Sequence, residues 1–262
     1  RSLVGSEMCI RDSYTTRLLI RRPKDPKKFS GNVVIEILNA SAMMDIDRIW
    51  VNCWRYFTRH GDIYIGITSK GHVVDALKAY DPQRYAPINW ANPNSNRVPC
   101  DEVKNSRFGF LPQYEQGLFW DMLLDLAKIL RTESPMNPIA DCGKAWLYLT
   151  GWSQSGAYLS RVVNTFAYLP ENCQNGPLFD GYIDAGSGAS NAPINAYEPF
   201  STPFRKGRPT ASLLCTKEPC IAINTESENR STFWYGNFDE PNCKFRTWQI
   251  PCSSHDLSLI HI

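Results

Sequence analysis

"AWLYLTGWSQSGAYLSRVV", residues 145–163, runs an apolar stretch, a corner of small residues and an amphipathic stretch together without a break. Residues 144–152 read as a buried strand and residues 155–169 as a helix. A serine on a sharp strand-to-helix turn needs small neighbours two residues before and two after, because the backbone there is strained and crowded. Centred on Ser153, those neighbours are Gly151 and Ser155, with Gly156 next, where helix and strand must approach closely. Centred on Ser155, they are Ser153 and Ala157, equally small. The apolar run ends at Leu149–Thr150 and Gly151 begins the turn, which favours Ser153. The plainer alternative is that both serines only cap the helix.

Working outward, strands and helices alternate. "TTRLLIRRP" (15–23), "NVVIEILN" (32–39) and "GDIYIGITS" (61–69) are strand candidates upstream. "LFDGYIDAG" (178–186), "CIAINTES" (220–227) and "FRTWQIP" (245–251) follow the corner. Asp45 to Thr58 reads as a helix with Ile46, Ile49, Trp50, Cys53 and Trp54 on one side. In residues 114–132 the polar positions Asp121, Asp125, Lys128 and Thr132 recur at helical spacing within an apolar segment, a helix buried over most of its circumference. Near-continuous apolar strands separated by helices predict a mostly parallel sheet covered on both faces. The segment 85–105 reads as a long loop, and 188–214, rich in small residues and proline, as a small cap or lid.

A serine hydroxyl is a poor nucleophile near neutral pH and needs an imidazole base, itself oriented by a carboxylate. The chain has four histidines, His60, His72, His255 and His261. Two precede the corner and His261 lies in a tail that breaks the pattern beside it, which leaves His255, directly after the last strand candidate. The strand before that opens onto Glu226 and Glu228; Glu228, further past the strand end, is the preferred acid and Glu226 the alternative. Two preset backbone N–H groups must meet the charge that develops on the attacked carbonyl oxygen. Gln154, after the serine, offers one; Ala40 or Ser41, in the loop after the second strand, offers the other.

The 262 residues carry 43% apolar and 21% charged side chains and a net charge of +2. That length suits one large domain, and that charge implies neither nucleic acid nor an anionic membrane as partner. No apolar run is long enough for a membrane span. No CxxC pair or Cys/His cluster has metal spacing, so no metal is expected. The ends, "RSLVGSEMCIRDS" (1–13) and "LSLIHI" (257–262), resemble translated sequencing adapters and are set aside, leaving one domain over 14–255. Without Cys9, eight cysteines remain, an even number that suggests disulfides and a secreted or periplasmic home. Asn39-Ala40-Ser41 and Asn229-Arg230-Ser231 match the glycosylation acceptor pattern, which chance also produces.

With these pieces in place, the chain resembles the alpha/beta hydrolase domain family, a branch of the α/β-hydrolase superfamily. The resemblance rests on "TTRLLIRRPKDPKKFSGNVVIEILNAS", "GWSQSGAYL", "FDGYIDAG" and "INTESE…FRTWQIPCSSHD". It implies an α/β-hydrolase fold and an esterase-like hydrolase, with Ser153, Glu228 and His255 at the serine, acid and histidine positions and no cofactor. It also implies that a strand before Thr15 and a helix after His255 are missing. The expected substrate is a small-molecule ester, cleaved through an acyl-enzyme on Ser153. Trp90, Tyr197, Phe200, Phe204, Trp234 and Tyr235 either line its pocket or pack in the core and lid. Two alternatives stand beside this reading: an inactive α/β-hydrolase fold that binds a ligand, and an acyltransferase or peptidase using the same three residues.

Overall fold

The computed structural model describes residues 14–93, 95–101, 111–187, 192–197, 216–228 and 237–255. Its centre is an eight-stranded sheet in the order β1-β3-β2-β4-β5-β6-β8-β7. The strands are β1 Leu18–Arg21, β2 Asn32–Ile37, β3 Ile63–Ile67, β4 Trp146–Trp152, β5 Gly181–Ala185, β6 Cys220–Thr225, β7 Phe238–Glu240 and β8 Cys243–Ile250. Only the two edge strands run antiparallel to their neighbours; every pairing from β3 through β8 is parallel. This is an α/β-hydrolase fold.

Parallel strands buried on both faces lose the alternation of a half-exposed sheet, which is why Ile63–Ile67 is apolar at nearly every position. One face of β2 carries Val33, Ile35 and Ile37 into the larger core with Leu147, Leu149, Phe119, Ala157 and Tyr158. The other face presents Val34, Tyr64, Trp152 and Ala185 to Ile49 and Phe57 of helix α1, Arg48–His60. Helices α2 (Gly71–Tyr80), α4 (Leu118–Ile129) and α5 (Gln154–Arg161) pack on the first face, and α3 is the single turn Pro82–Tyr85. Gly61 ends α1 at φ 78°, its N–H bonded to the Phe57 carbonyl. A Cβ there would stand 2.0 Å from the Lys28 carbonyl oxygen, so only glycine fits.

Several expectations need adjusting. The buried stripe of α1 is Ile49, Trp50, Cys53 and Phe57, whereas Trp54 is 45% exposed. Strand β4 runs through Trp152, so the chain reverses direction at Ser153 rather than at Gly151. Helix α2 and the short β7 have no counterpart in the sequence reading. The first turn of α2 holds a glycine, His72 and two β-branched residues, Val73 and Val74, which are buried against the core. Trp90 is 1% exposed and belongs to the core rather than to a pocket rim. Tyr197 is half-buried, its ring 4.4 Å from the Arg97 guanidinium; Phe200, Phe204, Trp234 and Tyr235 lie outside the described residues. Of the lid segment 188–214, only 192–197 are described, and Ala192 is tied to both Ala157 and Arg161 of α5.

No two described cysteines lie at disulfide distance, and Cys215 is outside the described residues. The expected disulfides are therefore not found among them: Cys53 sits in α1 and Cys142 in the turn before β4, at separate places in the fold. Among the described residues no helix is long and apolar enough to cross a membrane.

Candidate active site

Strand order reverses between β2 and β4: from β2 the chain crosses to β3 on one side, and from β4 to β5 on the other. The loops leaving the carboxyl ends of two such strands diverge and open a crevice between them. The loop after β2 holds Ala40; the turn after β4 holds Ser153.

Ser153 has φ 59° and ψ −117°, the left-handed side of the map, which a residue with a Cβ occupies only under strain of about 1–3 kcal/mol. Two things hold it there. Its N–H donates to the Ala185 carbonyl at 2.7 Å, and α5 begins at the next residue. The tightness of the turn shows in its glycines. A Cβ at Gly151 would lie 2.3 Å from the Ser155 carbonyl oxygen, and one at Gly156 would lie 2.4 Å from Asp184 Oδ1. Ser153 makes no side-chain capping bond to α5, so the capping alternative does not describe it. Ser155 lies inside the helix, fully buried, and its Oγ meets no hydrogen-bond partner among the described residues. Of the two serines, Ser155 is enclosed and Ser153 is partly exposed at the turn.

The second strand end brings the acid. Glu228 ends a helical turn directly after β6 and is 6% exposed. Its Oε1 lies 2.6 Å from His255 Nδ1. The Thr225 hydroxyl and N–H donate to Oε2 at 2.5 and 2.7 Å, and the Ser227 hydroxyl donates to Oε1 at 2.8 Å. Burial pushes this carboxyl up, but the hydrogen bonds from Thr225, His255 and Ser227 outweigh it and hold the pKa below the usual carboxylate value. A carboxylate only accepts, so His255 Nδ1 carries a hydrogen, and in the neutral imidazole the lone pair is then on Nε2. Glu226, the other candidate acid, is exposed and accepts the Cys252 N–H at 2.6 Å; it fastens the histidine loop, not the imidazole.

His255 is anchored beside the corner. Its carbonyl accepts the Trp152 indole N–H at 3.1 Å, and the two rings meet edge-on with centroids 6.4 Å apart. A Cβ on Gly186, the residue after the one that holds the Ser153 N–H, would lie 3.2 Å from His255 Cε1.

The loop after β2 is fixed by residues that sequence reasoning passed over. His72 Nε2 donates to the Ala40 carbonyl at 3.0 Å, and the Ser69 hydroxyl donates to the Leu38 carbonyl at 2.7 Å. Lys70, fully buried, donates to Ser69 Oγ at 3.1 Å and lies 4.2 Å over the Tyr158 ring. Burial lowers its pKa to about 7, with Asp45 opposing. The Ser41 N–H is committed to Asn39 Oδ1 at 2.8 Å, whereas the Ala40 N–H meets no acceptor among the described residues. Of the two candidate donors in this loop, Ala40 is the uncommitted one. Gln154 is the first residue of α5, where N–H groups precede the helix's own acceptors. A sequence offers no signal for His72 or Lys70 here, because their roles arise from the β3–α2 junction folding back on another loop. Asn39 is 2% exposed with both ends of its amide hydrogen-bonded, so the folded chain gives no access to it for glycosylation; Asn229 lies outside the described residues. Among the described residues, no group of three or more His, Cys, Asp or Glu side chains could hold a metal ion.

A family model described as "Alpha/beta hydrolase domain" matches residues 7–259. No curated protein matches. Among solved structures, the chain is similar to the siderophore hydrolase EstA from Aspergillus nidulans at 12% identity and a TM-score of 0.47, covering 92% of this chain and 84% of that one. It is similar to a dienelactone hydrolase from Anabaena variabilis at 12% identity and a TM-score of 0.45, covering 94% and 84%. It is also similar to Est1E from Butyrivibrio proteoclasticus at 10% identity and a TM-score of 0.44, covering 92% and 86%.

Proposed function

Since the chain belongs to the alpha/beta hydrolase domain family, we propose that it is a serine hydrolase that cleaves carboxylic esters through an acyl-enzyme on Ser153. The observation that carries this reading is the 2.6 Å contact between Glu228 Oε1 and His255 Nδ1, with the histidine anchored to the residue before Ser153.

In this mechanism His255 Nε2 takes the Ser153 proton as Oγ attacks the ester carbonyl. Glu228 stabilises the imidazolium that forms, and its four hydrogen bonds keep it ionised to do so. The N–H groups of Ala40 and Gln154 receive the charge on the carbonyl oxygen. His255 then gives its proton to the departing alcohol, and water, activated by the same imidazole, releases the acid. The substrate is a small-molecule ester, and none of these steps calls for a cofactor.

The test is labelling with a fluorophosphonate probe, which reacts with an activated serine. The expected result is one labelled residue, Ser153, with labelling lost in Ser153→Ala. Labelling that persists in that variant overturns the assignment, and a folded wild-type protein that neither labels nor turns over p-nitrophenyl esters overturns the function.

A further inference from the structure

We propose that Asn39 is a positioning residue that sets the distance between the two N–H groups meeting the carbonyl oxygen, by clamping the Ala40 loop onto the backbone of the Ser153 turn. This rests on the ester-hydrolysis reading above.

The carboxamide of Asn39 spans the crevice between β2 and β4. Its Nδ2 donates to the carbonyl of Trp152, the residue before Ser153, at 2.9 Å. Its Oδ1 accepts from the Ser41 N–H at 2.8 Å and from the Ser41 hydroxyl at 2.6 Å. The partners fix which end is which: a carbonyl can only accept and a backbone N–H can only donate. The backbone of Asn39 is equally committed, donating to the Ile46 carbonyl at 3.1 Å and accepting the Ile46 N–H at 2.8 Å.

The register explains why an amide is needed here. Ile37 of β2 stands opposite Gly151 of β4, and beyond that pair β2 has left the ladder. The Trp152 carbonyl would then face a retreating strand with no backbone N–H to meet it, a costly position for a buried acceptor. Asn39 supplies the missing donor from its side chain. With its other end it holds Ser41, so Ala40 is bracketed between two residues tied to one carboxamide. Aspartate could still accept from Ser41 but could not donate to Trp152. Alanine would do neither.

The consequence is chemical as well as structural, because donors to the developing oxyanion act only within about 2.7–3.1 Å of where that oxygen will sit. An Ala40 loop released from the turn would drift from that distance while the substrate's remaining contacts stayed in place. The expected signature is therefore a loss in kcat at nearly constant KM.

The experiment measures kcat and KM with p-nitrophenyl acetate, inhibition by phenylboronic acid, and melting temperature, for wild type, Asn39→Ala, Asn39→Asp and Ser41→Ala. Boronic acids form a tetrahedral anion on an active serine and so report on the oxyanion donors. Both Asn39 variants are expected to lose about 10- to 100-fold in kcat with little change in KM, and to bind the boronic acid correspondingly more weakly. Ser41→Ala removes one of the three bonds at an exposed position and is expected to lose a few-fold in kcat while melting like wild type. Folded Asn39 variants with wild-type kcat and boronic acid affinity overturn the inference. Should they fail to fold, Ser41→Ala with unchanged kcat and affinity overturns it instead. A wild-type protein without turnover overturns the function and this inference together, whereas an active wild type with indifferent variants overturns this inference alone.

Discussion

Trp152 and His255 stand 103 residues apart in sequence, yet the indole N–H of one donates to the backbone carbonyl of the other at 3.1 Å. The residue that ends β4 thereby anchors the loop that follows β8, two strands further across the sheet than β5. Trp152→Phe keeps the ring in the core and removes only the donor. The expected result is a modest loss of stability, about 1 kcal/mol, with a larger fall in kcat/KM, roughly tenfold, as the histidine loop loosens. Urea denaturation and ester kinetics on the same preparation check it; equal and small losses in both would refute the anchoring role.

The two glutamates after β6 should behave differently. Glu228→Gln removes the charge beside His255 Nδ1 and frees the imidazole to take the wrong tautomer, so a loss in kcat of about 10²- to 10⁴-fold is expected. Glu226→Gln keeps an acceptor for the Cys252 N–H and is expected to cost less than about threefold. Steady-state kinetics of the two variants decide the matter, and equal losses would contradict the geometry.

Ser155→Ala removes a buried hydroxyl that meets no partner among the described residues. Leaving such a group unsatisfied costs about 1–3 kcal/mol, so the variant is expected to be as stable as wild type or more so. It should also keep its fluorophosphonate label. Loss of the label would move the nucleophile away from Ser153.

Gly156→Ala would drive a methyl group to 2.4 Å from Asp184 Oδ1 and 2.5 Å from Ser187 Cβ. Gly151→Ala would meet backbone, the Ser155 carbonyl at 2.3 Å, which cannot swing aside. Each is expected to destabilise by about 1–3 kcal/mol or more, with Gly151→Ala the worse. Thermal denaturation measures both, and a wild-type melting temperature for Gly151→Ala would show that the helix can move off the strand.

Stability should pass through a minimum near neutral pH. Burial raises Glu36 to about 7 against the bonds from Ile49, Tyr64 and Trp50, and raises Asp184 to about 7 against the Ser187 hydroxyl. From their ordinary values of 4.5 and 3.8 up to about 7, the folded chain holds protons the unfolded chain releases, so stability falls as pH rises. Lys70 is lowered by burial from 10.5 to about 7; across that interval the unfolded chain holds the extra proton, so stability rises with pH. Urea denaturation at acid, neutral and alkaline pH should show Glu36→Gln flattening the acid arm and Lys70→Met the alkaline arm. Variants whose profiles run parallel to wild type would rule these groups out.

Much of this was legible in the chain itself. The apolar runs at β2, β3, β4 and β6 needed no partner to be recognised, because a strand buried on both faces must be apolar along its length. The corner was legible because Gly151 is crowded by its own sequence neighbour, the Ser155 carbonyl, whereas Gly156 is crowded by Asp184 and Ser187, which only the fold brings there. His255 followed from order and scarcity, with one candidate histidine in the required place.

What the sequence left as preferences are choices between near neighbours. Ser153 and Ser155, Glu226 and Glu228, and Ala40 and Ser41 are each a pair of similar groups two residues apart or fewer. Within such a pair, only the direction of each side chain or N–H separates them, and that direction is set by partners far away in the chain. The Ala185 carbonyl takes the Ser153 N–H, Cys252 claims Glu226, and Asn39 claims the Ser41 N–H. Periodicity and steric crowding are written residue by residue and survive in a one-dimensional string; hydrogen bonds between loops from different strand ends exist only once the sheet has set their spacing.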